Sequence, residues 1–162
     1  SHHGHPLSHI SIAVSIHVIG MFGFSLPLGR LADRLGRRAV LMAGLVLAGG
    51  GSVLVPVTSS YWTITAGIFL VGVGGSCVNV AATALIADTT LPAERGRAIG
   101  ANDSISSAGA ILLPLAAGPM VELLGLTSLG ILGAGLMVIP MVLLVRLREP
   151  RPGVYEERVV LA

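Results

Sequence analysis

Along this chain the apolar residues run in long blocks, and the polar residues are confined to short seams between them. Ile10 to Gly29 carries no acidic or basic residue except His17, and its twenty residues, rising about 1.5 Å each, suit one helix through an apolar layer of roughly 30 Å. From Ala39 to Ala87 no residue is formally charged, which is too long for a single crossing, and Pro56, Val57, Thr58, Ser59, Ser60, Tyr61 and Trp62 interrupt the run. It divides into Ala39 to Val55 and Trp62 to Ala87. Ser104 to Val121 and Leu123 to Val145 follow, with a turn around Glu122, Leu124 and Gly125. The pattern predicts an all-α fold, a polytopic membrane helix bundle of five transmembrane helices, with crossings at about 10–29, 39–55, 62–87, 104–121 and 123–145.

Composition agrees. With 53% hydrophobic and 11% charged residues, too few polar side chains remain to cover the outer faces of soluble helices. All ten basic residues are arginine, and they fall into three clusters, Arg30 to Arg38, Arg95 to Arg97 and Arg146 to Arg158. Five alternating crossings put every cluster on the same side, and short cytoplasmic loops are the ones that retain positive charge. The expectation is therefore an external His-rich segment over residues 1–9, a transmembrane bundle over 10–148 and a cytoplasmic tail over 149–162. The N-terminus is then outside and the C-terminus cytoplasmic, and Tyr61 and Trp62 lie in an outer aromatic belt. The single cysteine, Cys77, can form no intrachain disulfide. The first residue is Ser, and no signal peptide precedes the first crossing, so the chain reads as a fragment.

The most specific motif lies between the first two crossings: Gly29-Arg30-Leu31-Ala32-Asp33-Arg34-Leu35-Gly36-Arg37-Arg38. Gly29 and Gly36 allow close approach and a left-handed turn between antiparallel helices. Asp33 can sit near the positive end of a helix dipole, and Arg34, Arg37 and Arg38 can cap carbonyl ends or meet anionic lipid headgroups. This stretch closely resembles the signature cytoplasmic loop of the major facilitator superfamily. A second stretch, Ala87-Asp88-Thr89-Thr90-Leu91-Pro92-Ala93-Glu94-Arg95-Gly96-Arg97-Ala98, is similar to that family's other cytoplasmic connection, and places Asp88, Glu94, Arg95 and Arg97 on the same face two crossings later.

The resemblance implies five helices from one half of a twelve-helix fold in a bacterial cytoplasmic membrane. The signature loop can follow the second or the eighth crossing. Three details favour crossings eight to twelve: no arginine within Ala66 to Gly74, only Gly118-Pro119 of the antiporter pattern, and a short charged tail soon after Val145. Amino-terminal crossings of the same protein would then be missing partners. The function implied is secondary active transport of a small solute by alternating access. An inward proton could drive a solute either way, and proton-coupled efflux is the expectation because spans with so few polar groups suit an apolar cavity. A contrasting reading is a non-transporting scaffold or regulatory subunit derived from a transporter half.

Polar groups inside a membrane are the default functional candidates. Asn79 lies about 12 Å from the inner end of its crossing and His17 roughly 10 Å below the outer end of the first. Either could serve substrate or proton; His17 could equally be bonded to a carbonyl. Asp103 could act within the membrane or cap a helix starting at Ser104. Gly44, Ala48 and Ser52, and Gly130 and Ala134, recur at four-residue spacing as small-residue packing faces, and Pro114, Pro119 and Pro140 can kink their helices. His2, His3, His5 and His9 read as a solvated segment rather than a metal site. Nothing pairs a nucleophile with a base, so no enzyme, cofactor or nucleic acid is expected. The bilayer and a small solute are the expected partners.

Overall fold

The computed structural model describes residues 7–146, which form six helices. They are α1 (Leu7–Phe22), α2 (Ser25–Leu35), α3 (Arg37–Val57), α4 (Tyr61–Thr89), α5 (Pro92–Leu124) and α6 (Leu126–Arg146). Five segments are long and apolar enough to cross a membrane: Ser11–Leu35, Arg37–Val57, Tyr61–Thr89, Pro92–Leu124 and Thr127–Arg146. The chain is thus an all-helical membrane bundle, with α1 and α2 sharing one crossing. His2, His3, His5 and the tail over 149–162 lie outside the described residues.

The helices run well beyond the apolar blocks. Most of the signature stretch is helical: Gly29 to Leu35 form the end of α2, and Gly36 alone joins it to α3. Gly36 has φ 92°, a conformation that favours glycine, and its N–H bonds the Ala32 carbonyl at 3.0 Å. Asp103 caps nothing, because α5 begins at Pro92, whose missing N–H costs nothing in a first turn, and continues through residue 103 without interruption. Its 33 residues extend about 50 Å, longer than the apolar layer. Pro114, Pro119 and Pro140 lie inside continuous helices. The break falls instead at Gly23 and Phe24, because Pro27 has no N–H for the Gly23 carbonyl four residues before it, and its ring crowds that carbonyl.

Helix α4 is central. One face packs on α1 and α2, another on α3, and α3 in turn carries α6. The α3–α4 contact is backbone against backbone. A Cβ on Gly44 would stand 2.7 Å from Cys77 Cβ and 2.8 Å from the Gly74 carbonyl, and one on Gly51 would stand 2.5 Å from the Gly67 carbonyl. Gly130 of α6 lies against Pro56 and Ser52 of α3 in the same manner. Towards the arginine-bearing end these contacts widen into a buried cluster of Ala32, Val40, Leu41, Leu45, Cys77, Ala81 and Leu144. At the other end the Tyr61 hydroxyl donates to the His9 carbonyl at 3.0 Å, and Trp62 stacks edge-on to Tyr61 at 5.3 Å. Helix α5 has no buried residue and touches only lightly the helices α4 and α6 that flank it in the chain.

Replacing Gly44 with Val forces side-chain atoms into α4 and is expected to destabilise the folded protein by about 1–3 kcal/mol. Gly75, whose Cβ would meet nothing within 4 Å, should accept Ala without loss. Thermal unfolding of the two variants in detergent, beside the wild type, checks the contrast.

Candidate functional site: a guanidinium clamp across three helix ends

Arg37 is the first residue of α3, and its side chain turns back over the Gly36 joint. Nη2 lies 3.0 Å from Asp33 Oδ1 in the last turn of α2, and Nη1 donates to the Ala32 carbonyl at 3.3 Å. Nε lies 2.9 Å from Asp88 Oδ2 in the last turn of α4. That N–H is not aimed along a hydrogen-bond line, so the Asp88 contact is an ion pair rather than a linear hydrogen bond. One guanidinium therefore spans α2, α3 and α4.

Helix dipoles explain why this group binds at this place. Asp33 and Asp88 both sit at carboxyl-terminal helix ends, where the backbone already presents partial negative charge, and each carboxylate is disfavoured there until a cation joins it. Arg37 supplies that cation to both ends at once. Its side chain is 22% exposed, against 67% for Asp33 and 39% for Asp88, so the cation is the most shielded member of the trio. Water reaches the carboxylates, and each pair is worth no more than about 0.2–1 kcal/mol. A clamp of that strength holds, and it can be released.

Arg38 acts on the opposite flank. Its Nη2 donates to the Val145 carbonyl at 2.9 Å, capping the end of α6. Adjacent arginines thus tie the start of α3 to the ends of three other helices. A Cβ on Gly29 would stand 3.9 Å from Val80 Cγ1 of α4, an ordinary contact, so the approach of α2 to α4 does not require glycine there. Arg34 is exposed, as are Glu94, Arg95 and Arg97 in the first turns of α5, and among the described residues none of these forms an ion pair with the clamp. Asp88, grouped by sequence with that second stretch, belongs structurally to the first.

The candidates within the membrane separate. His17 Nδ1 lies 2.9 Å from the Ile68 carbonyl, which can only accept, so Nδ1 carries the proton. Gly72 makes room for it, since a Cβ there would stand 2.5 Å from the His17 carbonyl. His17 therefore fastens α1 to α4. Asn79 is exposed on α4, on the side that also carries the open Gly75. Asp103 is exposed on α5, with Asn102 Nδ2 at 3.4 Å from its Oδ1. Among the described residues neither bonds to the clamp, and the two do not bond to each other. The carbonyls of Ala32 and Val145 escape a reading by residue type, because any residue can supply a carbonyl; position at a helix end was the available signal.

The model of the Major Facilitator Superfamily matches residues 1–159. The inner membrane transport protein YajR of Escherichia coli is 35% identical over 124 residues, which is 74% of this chain and 26% of that protein. The riboflavin transporter RfnT of Brucella anthropi is 33% identical over 103 residues, 64% of this chain and 26% of its own length. The class C tetracycline resistance protein of Escherichia coli is 34% identical over 122 residues, 75% and 30% respectively. The chain thus spans roughly a quarter to a third of these relatives. No solved structure matches it.

A double-mutant cycle of Arg37→Ala and Asp88→Ala, read by thermal unfolding, should return a coupling of about 0.5–1 kcal/mol. Additivity of the two losses would remove Asp88 from the clamp. Arg37→Lys should recover only part of the coupling, since an ammonium cannot reproduce a fork held by two carboxylates and a carbonyl.

Proposed function

We propose a function from one premise: the chain belongs to the major facilitator superfamily. The complete protein is a secondary transporter that carries a small solute across a bacterial cytoplasmic membrane by alternating access, and this chain supplies its crossings eight to twelve. The absence of arginine within Ala66 to Gly74 of α4 supports that placement. The arginine-bearing ends face the cytoplasm, with the start of α1 outside, in keeping with the retention of positive charge in short cytoplasmic loops.

The observation that carries the reading is the Arg37 clamp. It joins helix ends through exposed charge pairs weak enough to break, so the clamped and released arrangements differ by little. Gly29, Asp33, Arg34, Gly36, Arg37, Arg38 and Asp88 form this gate at the cytoplasmic face, and Glu94, Arg95 and Arg97 continue it along the bilayer surface. Asn79, on a face of α4 that the other described helices leave open, contacts the solute.

Asp103 carries the coupling proton. It lies about 16 Å along α5 from Pro92, directly before the uncharged run that starts at Ser104, and so at the cytoplasmic edge of the apolar layer. Each proton entering down 100 mV supplies about 2.3 kcal/mol, enough to drive a solute uphill. Efflux is the direction we favour, since resistance proteins stand among the relatives.

In the complete protein in liposomes, Asp33→Asn should slow solute flux while leaving membrane insertion intact; wild-type rates would remove the clamp from gating. Asp103→Asn should abolish accumulation driven by a pH gradient yet retain solute counterflow, and undiminished accumulation would exclude Asp103 as the proton carrier. Sidedness is checked in a Cys77→Ala background, where Arg34→Cys and Ser59→Cys should be labelled from opposite compartments.

A further inference from the structure

Ser76 lies on the face of α4 that packs against the first crossing. A Cβ on Gly20 would meet Phe69 and Val73 of that face, and one on Gly29 would meet Val80, so Ser76 stands in register between them, level with Gly23 to Ser25. The residue is 4% exposed, and its hydroxyl has no hydrogen-bond partner among the described residues. A hydroxyl in a helix ordinarily returns to the carbonyl four residues back, as those of Ser52, Thr65 and Thr89 do. That of Ser76 does not.

At the same level the first crossing is interrupted. Helix α1 closes with the bond from Gly23 N to the Ile19 carbonyl, and α2 opens with that from Leu28 N to the Phe24 carbonyl. The turns between them go unmade, beginning from the proline that cannot donate. The Ser25 hydroxyl takes up the Phe22 carbonyl at 2.9 Å and approaches that of Met21 at 3.5 Å. Among the described residues no hydrogen bond reaches the carbonyls of Gly20 and Gly23. A buried hydroxyl and freed carbonyls therefore occupy one level of the bundle, with Ser76 and Gly20 buried and Gly23 exposed beside them, and bare polar groups there are costly.

We propose that this level holds an internal water molecule, bonded to the Ser76 hydroxyl and to a carbonyl freed at the α1–α2 break. Water fits because it both donates and accepts, and a buried water with two to four polar partners is stable. A cation fits poorly: Asp33 lies ten residues beyond Gly23 and Asp88 twelve beyond Ser76, about 15 and 18 Å away along their helices, and Arg37 holds both. The water lets the first crossing flex at Gly23 without exposing unbonded backbone to lipid. This site is independent of the solute and of the coupling ion.

Hydroxyl-radical footprinting by a millisecond X-ray pulse, on the complete protein in lipid nanodiscs, tests it, because an ordered water raises oxidation of the side chains beside it without access to bulk solvent. Val80, one turn beyond Ser76 on the face of α4 turned to the first crossing, is the reporter. Its labelling should fall several-fold in Ser76→Ala and hold in Gly75→Ala. Unchanged labelling in Ser76→Ala overturns the site, as does thermal stabilisation of the wild type by sodium over choline at equal ionic strength, which would assign it to a cation. Should Ser76→Ala fail to fold, amide hydrogen exchange in the wild type decides: the Phe24 to Leu26 amides should exchange faster than those of either flanking helix, and protection equal to the flanks overturns the proposal.

Discussion

Helices α3 and α4 approach until glycine backbones touch, and the other crossings are arranged around that contact. Lipid tails are as apolar as leucine, so burial alone gives membrane helices little reason to associate; close van der Waals packing does. Gly44, Gly51, Gly67 and Gly74 remove the side chains that would hold the two helices apart. The same device recurs where Gly72 admits His17 of α1 and where Gly130 admits Pro56 of α3. Short contacts between rigid backbones have few alternative arrangements, which makes this part of the bundle a firm support.

Firmness in the middle sets the character of the arginine-bearing end. Because α2, α3 and α4 end near one another over the cluster around Val40 and Ala81, a single guanidinium can reach two carboxylates and a carbonyl. The clamp adds little to stability beside the packing beneath it. Helix ends offer the charge that favours Arg37, while the exposed carboxylates keep the pairs screened by water and weak. A rigid pair of helices with a weak ionic joint at one end is the arrangement on which the proposed gating draws.

Helix α5 and the outer face of α4 stand in contrast. Ile105, Leu112 and Leu115 of α5 are 75%, 63% and 70% exposed, and Asp103 lies on the same uncovered helix. Large apolar side chains in that state are at home in lipid or against further helices. A carboxylate is not, and the transport reading accordingly draws on Asp103 and Asn79, while His17, already bonded to the Ile68 carbonyl, serves as a fastener.

Uncharged blocks bounded by arginine seams determined the helical class and the five crossings, because spanning length and the cost of charge in lipid act on each segment by itself. The paired glycines and the arginine motif pointed to the family, and Gly44, Ala48 and Gly130 already marked packing faces. Other features were hidden although their residues were visible. Pro27 with Gly23 four residues before it carries the signal for the break, whereas Pro114, Pro119 and Pro140 carry a similar signal and interrupt nothing. Gly67, Gly72 and Gly74 look like mere abundance in a glycine-rich chain until a neighbouring backbone lies against them. The union of Asp88 with Asp33 and Arg37, across more than fifty residues, was decided by tertiary structure alone, because which helix ends meet depends on how whole helices cross, and no local rule of charge or spacing contains that angle.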